Sequence, residues 1–274
     1  MGTEQAAQWN GPGGGAWVRL QGVLDAMYVP LEELLVDRVA DAAPGIPSVI
    51  DVGCGTGATT LALARRLGAG TAVTGVDVSE PMLTAARERV SHAGLEVPFV
   101  AADAQRHDFG PGPRVVASRF GVMFFDDPPV AFANLRAAAS PGGALRAIVW
   151  RDPGENPFMT AAPEAAACLL DVPPSVPGAP GQFGLADGER TATMLRGAGW
   201  GEVTVEPVDR ECTFPASELE AYLTLMGPVG RALAGQDDAT RARVADRVRP
   251  ALAPFVRGDE VAFTAACWLV SATA

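Results

Sequence analysis

The chain has 274 residues, of which 48% are hydrophobic and 19% charged, with a net charge of −11 and no lysine. That balance suits a compact fold and excludes a disordered chain. With every side-chain cation except histidine an arginine and no basic cluster, a nucleic-acid partner is not expected, because phosphate binding needs clustered cations. No apolar run approaches membrane-spanning length, so no membrane partner is expected either.

The N-terminal MGTEQAAQWN has neither a basic nor an apolar segment of a secretion signal, and Ala6 stands where a myristoylated Gly2 would want Ser or Thr. The expected location is the cytoplasm. Cys54, Cys168, Cys212 and Cys267 are widely spaced without a CxxC pair, so neither a metal site nor a disulfide framework is expected. They read as small buried hydrophobes.

Trp17, Leu20, Leu24 and Met27 at helical spacing predict a helix over 16–28, and Pro30 opens a second one that Pro44, Gly45 and Pro47 end. Strand and helix then alternate. Strands are expected at 48–52, 71–77, 97–102, 114–118 and 144–150, and helices at 59–67, from Ser79 to Gly94, and after Asp126 or Asp127. Residues 152–186 are rich in Pro and Gly and read as a lid insertion. A helix over 187–198, a strand near 202–209, a Ser217/Glu220 capping box, a helix over 239–248 and a strand over 260–271 complete the chain. The division expected is 1–151 for the N-terminal helices and cofactor core, 152–186 lid, 187–213 core, 214–257 helical cap and 258–274 final strand.

The chemistry concentrates in VIDVGCGTGATTLALA: an apolar strand, a turn holding Gly53, Cys54, Gly55 and Gly57, then a helix. Glycines let a ligand approach the backbone without Cβ obstruction. Asp51, just before them, suits a ligand ammonium and would repel a pyrophosphate. Asp77 ends the second strand 20 residues past Gly57, where an acid holds a ribose diol. Gly53, Gly55 and Ala58 also satisfy the dinucleotide spacing, so a nicotinamide-dependent oxidoreductase stays open on the glycines alone.

DVGCGTG (51–57), GVDVSEPML (75–83), the segment around Asp103, SRFGVMFF (118–125) and PGG (141–143) resemble class I S-adenosylmethionine-dependent methyltransferases, in particular the small-molecule branch with the quinone-biosynthesis enzymes. The resemblance covers roughly 45–150. It implies an α/β, Rossmann-like doubly wound seven-stranded sheet with a reversed last strand, plus a mostly helical cap. It also implies S-adenosyl-L-methionine as cofactor, with Asp51 and Gly53 at its amino-acid end and Asp77 at the ribose. Asp103 and Ala104 would meet the adenine edge, and Val78 and Met82 would flank the ring. Ser118 would lie against the reacting end, and Trp9, Asn10 and Trp17 would fold over the cofactor.

Methyl transfer is an in-line displacement that asks for alignment, exclusion of water and, for weak nucleophiles, a base. No base stands out. His107, after the Asp103 strand, and Arg119, able to orient an anionic substrate, are the candidates; a loop histidine and an ion pair explain them equally well. His92 reads as a cation at a helix C-terminus. Asp127-Pro128-Pro129-Val130 lacks the aromatic of an amino-methylating motif and reads as a helix cap. Phe158, Met159, Phe183, Tyr222 and Met226 suggest an apolar roof for a moderately hydrophobic small-molecule substrate, and a homodimer stays open. Also open are an S-adenosylmethionine-binding enzyme without methyl transfer and a non-enzymatic, cofactor-bound partner protein.

Overall fold

The structure, a computed structural model, describes residues 4–274 except 43, 44, 46, 111, 174, 175 and 177. Gly2 and the Pro44 helix stop therefore lie outside the described residues.

Eight strands form one sheet. They are β1 (Ser48–Val52), β2 (Ala72–Asp77), β3 (Phe99–Ala101), β4 (Val115–Arg119), β5 (Ala144–Trp150), β6 (Gly201–Pro215), β7 (Val256–Arg257) and β8 (Glu260–Thr273). Their order is β3-β2-β1-β4-β5-β8-β6, with the two-residue β7 pairing only with β8. β1 to β5 run parallel, and β8 is antiparallel to both β5 and β6. The expected seven strands with a reversed last one are thus present, and β7 adds a short hairpin arm.

Near-continuous burial along β1, β4 and β5 follows from their Val, Ile, Ala and Leu content, as a sheet covered on both faces requires. Helix α4 (Ala58–Leu67) joins β1 to β2, and α6 (Pro128–Ala138) joins β4 to β5 in the opposite direction along the sheet. Right-handed crossovers place these two helices on opposite faces. The chain therefore changes direction between the adjacent β1 and β4, and the crevice beyond their carboxyl ends is where such sheets bind ligands.

Helix α5 (Glu80–His92) starts at Ser79, which accepts from the Met82 amide at 3.4 Å, and α6 starts at Asp127, which accepts from the Val130 amide at 3.2 Å. Asp187 caps α8 (Gly188–Gly197) in the same way. His92 is exposed in the last turn of α5, and Asp127-Pro128 is a helix start as expected.

The N-terminal region departs from expectation. Helices α1 (Glu4–Asn10) and α2 (Pro12–Arg19) precede a single helix, α3 (Gln21–Ala40), which runs through Pro30. A helix-interior proline costs about 3 kcal/mol. Leu24, Met27, Leu31, Leu35 and Val39 bury one continuous face across it, and each fully buried side chain returns about 1.5–3 kcal/mol. The break falls at Leu20 instead.

The Ser217/Glu220 capping box does not form. Residues Ala216–Glu218 make a 3-10 turn, tied by the Ala216 amide to the Asp259 carbonyl, and α9 (Leu219–Leu225) begins without a side-chain cap. β6 also runs six residues beyond its expected end at 209, to Pro215, because its partner β8 continues to Glu260. Helices α10 (Gly227–Leu233) and α11 (Asp238–Leu252) follow α9, and both pack against α7 (Pro157–Ala166) from the 152–186 segment. The two segments thus make one helical layer. Phe158 is buried inside it among Phe214, Tyr222, Phe255 and Phe263, so it is core and not roof. Phe183 also packs on the core. Cys54, Cys212 and Cys267 are buried as expected, but Cys168 is exposed, in the loop after α7. Among the described residues no helix is long and apolar enough to cross a membrane.

Candidate active site

A cavity of about 560 Å³ opens at the carboxyl ends of the central strands, within the range of about 300–1,000 Å³ usual for small-molecule sites. Four strand ends contribute to its wall: Val52 and Gly53 from β1, Asp77 and Val78 from β2, Ala101 to Ala104 from β3, and Arg119 to Gly121 from β4. Trp9, Asn10, Trp17, Gly55, Met82 and His107 complete the set of predicted residues that face it.

Asp77 is 7% exposed, and its two oxygens accept from the Gly55 amide at 2.8 Å and the Ser79 amide at 2.9 Å. Burial pushes its carboxyl pKa up, while these amides hold it down. Two lone-pair sites of about four are used, so the rest can accept from a diol. Asp103 accepts from the Gln105 amide at 3.0 Å, while Ala104, Val78 and Met82 supply apolar surface beside it. These features fit the nucleoside end of S-adenosylmethionine.

Asp51, Cys54, Gly57 and Ser118 do not reach the cavity wall. Asp51 is 1% exposed and its carboxylate accepts from the Thr60 hydroxyl at 2.6 Å. Its carboxylate is therefore separated from the cavity by the Val52–Gly53 backbone. Ser118 donates to the Val52 carbonyl at 2.8 Å and accepts from the Val122 amide at 3.2 Å, locking the β4 loop beside the β1 loop. Gly57, at φ 81, starts α4, and Cys54 is buried behind the turn, where burial pushes its thiol pKa up. These four shape the site from behind.

Burial pushes the Asp51 carboxyl up to about 6 from 3.8, against the opposing pull of Thr60 and Arg119. The folded chain therefore holds an extra proton between these values. This group's contribution to stability falls as pH rises from about 3.8 to about 6 and is level above that. Asp51→Asn removes the step: urea unfolding at pH 4.5 and pH 7.5 should show wild type losing about 1–3 kcal/mol relative to the variant. Parallel pH dependence in the two proteins would contradict the assignment.

Arg119 is buried on the wall. It donates to the Thr59 hydroxyl at 3.0 Å, lies 3.9 Å from Glu32 and sits 5.6 Å from the Tyr28 ring centre, yet its Nη1 has no hydrogen-bond partner. A buried guanidinium with an open donor beside a ligand cavity is suited to a carboxylate. Sequence reasoning offered no signal for that open donor.

The N-terminal helices close the site. Asn10 donates to the Val78 carbonyl at 2.8 Å and accepts from the Glu80 amide at 3.0 Å, and Ser79 donates to the Trp9 carbonyl at 2.6 Å. The Trp9 ring meets Trp17 at 6.2 Å and Phe124 at 5.0 Å, edge to face. Phe124 and Gln105 were not singled out by sequence, although the first lies in SRFGVMFF.

A second cavity of about 390 Å³ shares Trp9, Trp17, Phe120 and Phe124 with the first. Phe120 sits between the two in a left-handed conformation, φ 68, with its ring stacked on Trp150 at 4.8 Å. Such backbone strain costs about 1–3 kcal/mol and concentrates at functional sites. Met159, Tyr222 and Met226 line this cavity as expected of a roof. His107 borders only the first cavity, edge-on to Phe109.

A methyltransferase-domain family signature matches residues 49–143. The chain is 32% identical over 249 residues to nocamycin O-methyltransferase of Saccharothrix syringae, covering 78% of this chain and 85% of that one. It is 35% identical over 124 residues to demethylmenaquinone methyltransferase of Thermus thermophilus, covering 45% and 55%, so it spans about half that relative's length. The fold superposes on the Haemonchus contortus phosphoethanolamine N-methyltransferase 2 complex with S-adenosyl-L-methionine at a TM-score of 0.55, with 17% identity and 92% and 56% coverage. Neither the oxidoreductase reading nor the non-enzymatic one gains support, and S-adenosylmethionine is the cofactor. The chain belongs to the class I S-adenosylmethionine-dependent methyltransferases.

Proposed function

We propose that the chain methylates an O, N or C nucleophile of a small, moderately hydrophobic molecule in cytoplasmic small-molecule metabolism, with the cofactor in the first cavity and the acceptor in the second. The observation that carries this is the meeting of the two cavities at Trp9, Trp17, Phe120 and Phe124. The relatives named above for methylation of small molecules support it. The layer formed by 152–186 and 214–257 is the acceptor cap.

When bound, S-adenosylmethionine supplies a methyl group already activated by the sulfonium. Asp77 holds the ribose hydroxyls; Asp103 and Ala104 meet the adenine edge, with Val78 and Met82 against the ring. Gly53 and Gly55 let the backbone approach, and Asp51 stabilises the ammonium from behind. Arg119 takes the carboxylate through its open Nη1. At the junction a bound cofactor would offer its methyl carbon to the acceptor's nucleophilic atom, the electrons of the carbon–sulfur bond being left on sulfur. Trp9, Trp17, Phe120 and Phe124 exclude water there and fix the line of approach, which is where most of the rate enhancement of an activated donor arises. Among the described residues, the wall of the second cavity carries no carboxylate or imidazole to serve as a base.

Methyl-labelled cofactor supplied with a small-molecule extract tests this. A labelled product seen by mass spectrometry, and absent with Asp77→Ala, is expected. Tight cofactor binding without any labelled product across extracts would contradict methyl transfer to a small molecule.

A further inference from the structure

The second cavity holds a charge pattern unlike the rest of the chain. In a protein of net charge −11, its wall carries Arg19, Arg231 and Arg241 and, among the described residues, no aspartate or glutamate. Some arginines elsewhere meet carboxylates, as Arg89 does Asp25 at 2.7 Å and Arg151 does Asp209 at 3.1 Å. None of these three arginines has an ion-pair partner among the described residues. Arg241 donates to the Leu233 and Gln236 carbonyls at 2.7 and 3.1 Å, which anchors it at the C-terminal end of α10 but leaves its charge unpaired. Desolvation with no opposing acid lowers the Arg231 pKa, and a bound anion would relieve that cost.

The arginines border only the second cavity, whereas Trp9, Trp17, Phe120 and Phe124 border both. Phe120, stacked on Trp150, and Tyr28, edge-on to both at 5.2 and 6.2 Å, add aromatic surface to the same wall. Three guanidinium groups and this aromatic surface on one wall match one type of ligand.

Building on the acceptor reading of this cavity, we propose that the acceptor is a flat, apolar molecule bearing an ionised acid group. That group rests among Arg19, Arg231 and Arg241, away from the methyl-accepting atom, as an orienting handle and not as the nucleophile. Guanidinium groups match carboxylates in shape and charge, and a neutral isostere leaves that match unmade.

Calorimetry on the full chain saturated with S-adenosylhomocysteine tests this with matched pairs: 2-naphthoate and 2-naphthamide, cinnamate and cinnamamide, indole-3-acetate and indole-3-acetamide. At pH 7.5 at least one acid should bind about tenfold or more tighter than its amide. Arg19→Gln combined with Arg231→Gln should reduce that ratio to about twofold or less while leaving amide and S-adenosylhomocysteine affinities unchanged. These two arginines make no side-chain bonds that the fold relies on, unlike Arg241. Equal affinity for acid and amide in every pair, or a ratio unmoved by the double substitution, would overturn the anion assignment while leaving the acceptor chamber standing. Failure of both members of all three pairs to bind would overturn the chamber reading and the anion assignment with it.

Discussion

Asp77→Ala is expected to weaken S-adenosylhomocysteine binding by about 100-fold or more. The Asp77 side chain is held from two sides by the Gly55 and Ser79 amides, so its remaining lone pairs are aimed before any ligand arrives. A hydrogen bond to a charged group contributes about 1.5–3 kcal/mol. Two ribose hydroxyls therefore account for about 3 kcal/mol or more, which is about two decades of affinity. The substitution also orphans two amides, so a modest fall in Tm accompanies it, and circular dichroism checks that the variant is folded. Asp77→Asn keeps one oxygen acceptor and should fall between the two. Calorimetric affinity of the alanine variant within about threefold of wild type would contradict the ribose assignment.

Gly53→Ala should be worse for the fold than for any single ligand contact. Gly53 has φ 69, and a Cβ there would lie 2.4 Å from the Gly121 Cα. The reverse also holds, since a Cβ on Gly121 would lie 2.5 Å from the Val52 carbonyl oxygen. The loops after β1 and β4 touch backbone to backbone, and no side chain can yield to make room. A loss of about 2–4 kcal/mol in urea unfolding, with turnover down about 100-fold or more, is the expected result. Gly55→Ala separates the two effects. Its Cβ would meet nothing closer than 3.7 Å, from Met82 Sδ and Trp17 Nε1, so only its φ of 54 opposes the change. A stability loss of about 1 kcal/mol with weakened cofactor binding is expected there. Equal destabilisation by the two substitutions would contradict the backbone-contact explanation.

The sheet was legible because its signals are local. Strands β1 and β5 match their expected bounds to the residue, since apolar runs flanked by Pro and Gly punctuate both. The reversed β8 and the Asp103 position came from the family resemblance, not from periodicity. What sequence missed is set by tertiary contact. Helix α2 contains three consecutive glycines, yet it forms because Gly14 lies against the Trp9 carbonyl, where a Cβ would come within 2.0 Å. Pro30 marked a helix start, but the buried face of α3 outweighs one missing amide. In the site, position at the strand ends located Asp77 and Arg119 on the wall. It could not show that Asp51 and Ser118 turn inward to bond Thr60 and the Val52 carbonyl. Nor could it show the second cavity, which is assembled from α1, α2, α3, β5, α7, α9, α10 and α11 and so has no linear motif.

The arrangement of two cavities joined at one aromatic mouth is tested most directly by a crystal structure with S-adenosylhomocysteine bound. Both ribose hydroxyls should lie within hydrogen-bond distance of Asp77, the amino-acid carboxylate at Arg119 Nη1, and the sulfur at the mouth formed by Trp9, Trp17, Phe120 and Phe124, facing the second cavity. A ribose bound away from Asp77, or a sulfur turned away from that mouth, would contradict the account.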